Sequence, residues 1–203
     1  MADEWKPALA ESIRKWEARP RYGTLDPGTL AAIPDDLLEQ AIIDFVLDFR
    51  ASPDDRCVAL LGTLPPGFAA VYTTWWLDAE IANGGFHQYF WNTAGAYVDL
   101  VRVGLERLQA PEHLDAFDQA VHVAGVQSKP DLRGLTPRAE LEAFSASARS
   151  GAFDHLDSRW HALGELGKAR VDFIRRHPAL FVARLPALAR LRLKAASLWR
   201  ALR

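Results

Sequence analysis

The side chains of this sequence that could do chemistry concentrate in residues 80–92, Glu-Ile-Ala-Asn-Gly-Gly-Phe-His-Gln-Tyr-Phe-Trp-Asn, which we call the Asn-Gly-Gly segment. The segment combines a carboxylate with several side-chain amides. These groups could line a recognition pocket, or they could satisfy backbone groups left open where a helix ends, since buried polar groups need partners. Asn-Gly is a common turn dipeptide, which favours the structural interpretation without excluding the other. The candidate residues are Glu80, Asn83, Gly84, Gly85, Phe86, Gln88, Tyr89 and Asn92.

The Gly-Gly pair in this segment predicts a break in a helix. Residues 68–83 are apolar on most sides, which is typical of a buried central helix. Glycine just past a helix end adopts the left-handed conformation without a Cβ penalty, so we expect the pair to redirect the chain sharply. Phe86, Tyr89 and Phe90 then recur at spacings of three and four, which predicts a helical turn that packs its rings inward.

No other pattern in the sequence predicts an enzyme. None of the six histidines belongs to a His-Glu-x-x-His pattern, and Asp157 and His161 alone are a weak case for a metal site. Cys57 lies in an apolar stretch, as a buried structural thiol would. There is no phosphate-binding glycine loop with its lysine and no Gly-x-Ser-x-Gly elbow. We therefore expect no catalytic residue, metal site or cofactor, although an enzyme using the Asn-Gly-Gly segment stays an alternative.

The Asn-Gly-Gly segment as a whole resembles the signature of the bacterial helical family typified by DNA mimic protein 19, much of which has no known function. The preceding residues 72–79 and the later segments 153–160 and 171–181 resemble further parts of that family. The resemblance spans about residues 35–181. Trp160 departs from the family pattern, which favours Tyr or Phe near this position.

This resemblance implies an all-α fold and a function without catalysis. In the founding member, an acidic surface imitates duplex DNA and occupies a DNA-binding transcription factor. The leading hypothesis is therefore a non-enzymatic module that binds a protein partner, with a DNA-binding protein as the candidate.

One group of acids could form such a surface. Duplex DNA presents one charge per roughly 1.7 Å of its axis, so a mimic needs a dense and nearly uncompensated acidic face. A solvated helix face is the plainer interpretation of the same acids. The candidate acidic patch consists of Asp35, Asp36, Glu39, Asp44, Asp48, Asp54 and Asp55.

Charge is distributed unevenly along the chain. Residues 168–203 hold ten Lys/Arg against one acid, a net charge of +9, whereas the other 167 residues hold 14 Lys/Arg and 25 Asp/Glu, a net charge of −11. The end of the chain predicts a basic amphipathic helix with an apolar stripe that includes Leu188 and Leu191. The basic tail consists of Arg184, Arg190, Arg192, Lys194, Arg200 and Arg203.

This basic tail has several possible roles. It could dock on its own acidic body, contact a partner or a second copy in a homodimer, or bind nucleic acid or a membrane surface. Intramolecular docking is the first expectation. A nucleic-acid-associated protein that uses this helix is the second functional hypothesis, although direct nucleic-acid binding is the less favoured role.

Composition and periodicity predict an all-α protein: a single compact domain of about 8–10 helices with a basic C-terminal helical extension. Hydrophobic residues make up 49% of the 203 residues, enough for a core that needs no disulfide or metal ion to stabilise it. No segment alternates as a strand does. We expect an N-terminal helix and loop at 1–30, a family-like core at 31–181 and the extension at 182–203. Helices are predicted at 3–18, 34–49, 52–62, 68–83, 96–109, 111–125, 137–148, 153–163, 165–177 and 186–202.

The sequence also carries expectations about location. A single cysteine cannot form an intramolecular disulfide, the N-terminus lacks an apolar signal core, and no apolar run reaches the roughly 18 residues of a membrane span. These features predict a cytoplasmic protein with no membrane span.

Overall fold

A computed structural model describes residues 5–49, 57–126, 142–145, 148 and 151–201 of the chain. Over these residues the all-α prediction is confirmed. A 3₁₀ turn at Pro178–Phe181 interrupts the helices near the end. The ten α-helices of the described part are α1 (Trp5–Ala18), α2 (Pro27–Ala32), α3 (Asp35–Phe49), α4 (Val58–Leu61), α5 (Pro66–Thr93), α6 (Val98–Arg107), α7 (Pro111–Val126), α8 (Asp154–Leu163), α9 (Gly167–Arg176) and α10 (Ala187–Ala201).

Helix α5 lies at the centre of the fold because it is apolar nearly all round. It packs against α3, α6, α7, α8, α9 and the 3₁₀ turn. Phe68, Tyr72 and Phe86 are among the largest fully buried side chains. Gly104 lets α6 approach closely, since a Cβ at that position would lie 2.9 Å from a methyl group of Thr74. The predicted central helix is therefore the element around which the others are arranged.

The structure also contains a two-stranded antiparallel sheet, which the sequence did not predict. Strand β1 (Thr24–Leu25) pairs with β2 (Ala183–Arg184), and the backbone N–H of Leu185 donates to the carbonyl of Gly23 at 3.0 Å. Two residues are too few to show strand alternation in a sequence. The sheet joins the loop after α1 to the segment before α10.

Three predicted elements differ in the structure. Helix α2 was predicted as a loop, although Asp26 caps it by accepting from the Thr29 N–H and Pro27 opens it, which is a helix-start pattern. The predicted helix 52–62 does not run through Cys57, whose φ of 57° is left-handed; the described helix begins at Val58. Most of the predicted helix 137–148 lies outside the described residues, and positions 142–145 and 148 are helical.

Both ends of the described chain expose apolar side chains. Helix α1 leaves Leu9, Ile13 and Trp16 exposed, at 59% for the tryptophan. Leu188 and Leu191, which the apolar stripe of the tail was expected to bury, are 63% and 62% exposed. The tail packs on the core through Ala189 and Leu193 instead. None of the described helices is long and apolar enough to cross a membrane.

Candidate functional site

The predicted break in α5 is present at the Gly-Gly pair. Gly84 has φ −165° and ψ 24°, and Gly85 has φ 75° and ψ −176°, so neither is helical. The second conformation is essentially reserved for glycine. Residues 66–83 and 86–93 are therefore two helical halves, and we call the residues between them the α5 break.

A single carboxylate oxygen joins the two halves of α5. Oε2 of Glu80 accepts hydrogen bonds from Nε2 of Gln88 and from Nδ2 of Asn92, both at 2.8 Å. Glu80 itself is buried, whereas Asn92 is exposed. Hydrogen bonds to a charged group are about twice as strong as neutral ones.

These two bonds require the chain to fold back at the break. In a straight helix, residues 80 and 92 would lie ~18 Å apart along the axis. A glutamate, an asparagine and one hydrogen bond cannot span that distance. The α5 break therefore brings the second half of the helix back alongside the end of the first, which is the sharp redirection that the sequence predicted.

Asp157 of α8 holds the other side of the α5 break. Its Oδ1 accepts a hydrogen bond from the backbone N–H of Phe86 at 2.8 Å. Any Cβ at position 85 would lie 2.7 Å from Cγ of Asp157, so only glycine fits there. Burial raises the pKa of Asp157, while the hydrogen bond from Phe86 acts in the opposite direction. The open backbone group at the break is thus satisfied by a distant carboxylate, and not by the amides of the segment as the structural interpretation proposed.

A second polar cluster fixes α8 and α9 against the first half of α5. Arg170 is only 4% exposed and donates from Nη1 to Asp78 at 2.7 Å and from Nε to Glu39. The other Asp78 oxygen accepts from Nε1 of Trp160 at 3.1 Å. A Phe at position 160 could not make this bond, which gives the departure from the family pattern a structural consequence.

The aromatic side chains after the break pack inward as predicted. Phe86 lies edge-on to Trp160 with ring centroids 5.5 Å apart, and Phe90 stacks on Phe153 at 5.8 Å. Burial raises the pKa of the Tyr89 hydroxyl. Burial also lowers the pKa of His87, whose ring lies 4.6 Å from that of Phe144.

These contacts favour a structural role for the polar side chains at the α5 break over a catalytic one. The carboxylates of Glu80 and Asp157 are already engaged by donors within the protein. Among the described residues, no group of three or more His, Cys, Asp or Glu converges in a way that could hold a metal ion. At the surface the segment presents Asn83, Gly84 and Asn92.

A known protein family matches the region around the α5 break. A family model described as DMP19-like protein matches residues 62–177, which is more than half of the chain. The chain belongs to the DMP19-like protein family. The match contains the α5 break, Asp157 and Arg170, and it begins later than the resemblance at residue 35 suggested. No curated protein and no solved structure matches the chain.

The acids expected to form a DNA-like patch in this DMP19-like protein are largely paired with arginines. Asp44, expected on the polar face of α3, is 1% exposed, because Arg19 donates to both its oxygens at 2.6 and 2.7 Å. Asp36 is exposed, and Asp54 and Asp55 lie outside the described residues. The other pairs are Asp35 with Arg175, Glu39 with Arg170, and Asp48 with Arg21.

The residues of the basic tail do not share one environment. Arg184 and Arg192 are exposed, whereas Arg190, which is half-buried, and Lys194, which is exposed, line a groove. The side chain of Arg200 and the whole of Arg203 lie outside the described part of the chain.

Sequence reasoning did not assign the structural roles of Asp78, Asp157 and Arg170. Asp157 lies in the second segment that resembles the family, and Arg170 is an arginine in a helix whose apolar residues face the core. Their partners are 71 to 131 positions away. A carboxylate or guanidinium on a buried helix face is the one local signal that a partner exists.

We expect Gly85→Ala to destabilise the protein more than Gly164→Ala does. Both glycines share nearly the same backbone conformation, with φ 75° and 82°, so each alanine should carry a backbone cost of about 1–3 kcal/mol. Only position 85 also crowds Asp157, since a Cβ at position 164 meets nothing within 4 Å. Urea unfolding measures both variants; equal losses would mean that Asp157 does not restrict position 85.

We expect the titration of Asp157 to make the stability of the protein depend on pH. Because burial raises its pKa above the usual value of an aspartate, the folded state binds the proton more tightly, and the free energy of unfolding falls as pH rises through the folded pKa. Asp157→Asn keeps an acceptor for the Phe86 N–H and should flatten this fall. Asp157→Ala removes the acceptor and should cost about 1–3 kcal/mol. Denaturation at several pH values tests both; an unchanged slope in Asp157→Asn would contradict the assignment.

Proposed function

We propose that this DMP19-like protein is a non-catalytic binding module whose partner is a protein with a basic, DNA-binding surface. The observation that carries the proposal is an acidic surface on α6, α7 and α8, which we call the α6–α8 surface. The sequence did not single out these residues. Its exposed acids are Asp99, Glu106, Glu112, Asp115, Asp118 and Asp154.

Few cations compensate this surface. Within the described residues of the three helices there are three basic side chains besides histidine, Arg102, Arg107 and Arg159, and all are half-buried. Arg102 pairs with Asp99 and Asp118, and Arg159 pairs with Asp115.

Two of these ion pairs also make the surface continuous. Nε of Arg102 on α6 lies 2.7 Å from a carboxylate oxygen of Asp118 on α7, and Nη2 of Arg159 on α8 lies 2.7 Å from one of Asp115 on α7. These two pairs link α6 and α8 to acids of α7. The Asp99 side chain, at 97% exposure, shows how fully some of these charges face solvent.

The acids of α3 are less suited to this role. Asp44 pairs with Arg19 and Asp48 with Arg21, both from the loop after α1. Asp35 pairs with Arg175. A paired carboxylate offers little net charge to a partner. In contrast, Glu106, Glu112 and Asp154 make no ion pair with any described residue, so their charge is available for a basic surface.

We expect the protein to release duplex DNA from a purified basic nucleoid protein. The assay is fluorescence anisotropy of a labelled duplex at low salt. The triple variant Glu106→Gln, Glu112→Gln, Asp154→Asn should require about five- to tenfold more protein for the same release, because three exposed charges contribute about 0.3–0.5 kcal/mol each. Added salt should weaken release in the wild type.

A matched variant controls for net charge. Glu11→Gln, Glu17→Gln, Asp36→Asn removes three exposed charges from α1 and α3 and should release DNA like the wild type. Equal loss in both triple variants would contradict the assignment to the α6–α8 surface. A rise in anisotropy when this protein alone meets the duplex, abolished by deleting residues 182–203, would favour the nucleic-acid-associated alternative.

A further inference from the structure

A groove of about 620 Å³ lies between the loop after α1 and helix α10. Its volume falls within the roughly 300–1,000 Å³ of typical small-molecule sites. The groove is lined by none of the residues of the Asn-Gly-Gly segment, and it is separate from the α6–α8 surface. It therefore has no part in the proposed function.

The groove is strongly cationic. Four of its nine lining residues are basic and none is acidic: Arg19, Arg21, Arg190 and Lys194. Arg19 and Arg21 are held by Asp44 and Asp48, which partly offsets their charge.

Arg190 differs from the two arginines opposite it. Its guanidinium makes no hydrogen bond or ion pair with any described residue, and its Nε is buried without a partner. Leaving a buried donor of a charged group unsatisfied is costly. The stem of Arg190 also lies against Gly23, where a Cβ would be 3.2 Å from its Cγ. This contact restricts where the side chain can go.

The two walls of the groove are fixed relative to each other. Strands β1 and β2 pair directly beside it, and Leu193 of α10 packs on the core. Arg19 is anchored at both Asp44 oxygens and stacks over the ring of Trp16 at 3.8 Å. A site whose cations are held in place loses less conformational entropy when a ligand binds.

From this geometry we infer that the groove binds the phosphate group of a small organic molecule. Guanidinium groups match phosphate oxygens with paired hydrogen bonds, and the neighbouring lysine adds a further charge. The groove is much larger than one phosphate, and Ala18, Pro20 and Leu193 supply apolar wall for an organic portion. Arg190 is the residue whose unused donors the phosphate engages.

The test uses phenyl phosphate as the probe and the full chain labelled with ¹⁵N. Titration followed by two-dimensional NMR should shift amide signals of residues 18–24 and 187–194. Arg190→Gln should weaken binding about tenfold or more, since it removes a charge-assisted hydrogen bond. Lys194→Gln should weaken it less. Benzyl alcohol, which lacks the phosphate, should not bind.

Arg192→Gln is the matched control. Arg192 lies on the same helix and is exposed outside the groove, so its loss should leave the affinity unchanged. Vesicles containing phosphatidic acid form a second arm: if they bind through Arg190 more tightly than phenyl phosphate does, the phosphate belongs to a lipid headgroup; otherwise it belongs to a soluble ester. The inference is overturned if neither probe binds, or if Arg190→Gln and Arg192→Gln bind equally.

Discussion

The fold depends on the bonds that hold α5 after it breaks. Without them, the Gly-Gly pair would leave the two helical halves free to vary in direction. The Glu80 carboxylate joins the halves through Gln88 and Asn92, and Asp157 takes the open backbone N–H of Phe86. The rings that follow the break then reach α7 and α8, which they pack against.

Arginines from distant segments decide where the acidic surface lies. Four acids of α3 pair with arginines of the α1–β1 loop and of α9, and one of the four, Asp44, is buried. Burying a charge costs free energy unless a partner is close, which explains why these pairs are short. Three exposed acids that stay unpaired among the described residues, Glu106, Glu112 and Asp154, lie on α6, α7 and α8, where cations are few.

The sequence predicted the features that depend on residues close together in the chain. The spacing of apolar residues placed α3 and α7 almost to the residue, and the Gly-Gly pair predicted the α5 break. The partner of that break, Asp157, is 71 positions from Phe86, and no periodicity reports such a contact. For the same reason, a helical face read from α3 alone could not show that Arg19, Arg170 and Arg175 cover its acids. The β1–β2 pair is too short to leave a pattern.

One carboxylate, that of Glu80, holds the two halves of α5 together. A double-mutant cycle in urea unfolding with Glu80→Ala and Asn92→Ala tests it directly, because the two residues are 12 positions apart and a straight helix would keep them from touching. We predict a coupling free energy of about 0.5–3 kcal/mol, as for residues in contact. Losses that add to within about 0.3–0.5 kcal/mol would show that the two halves are not joined there.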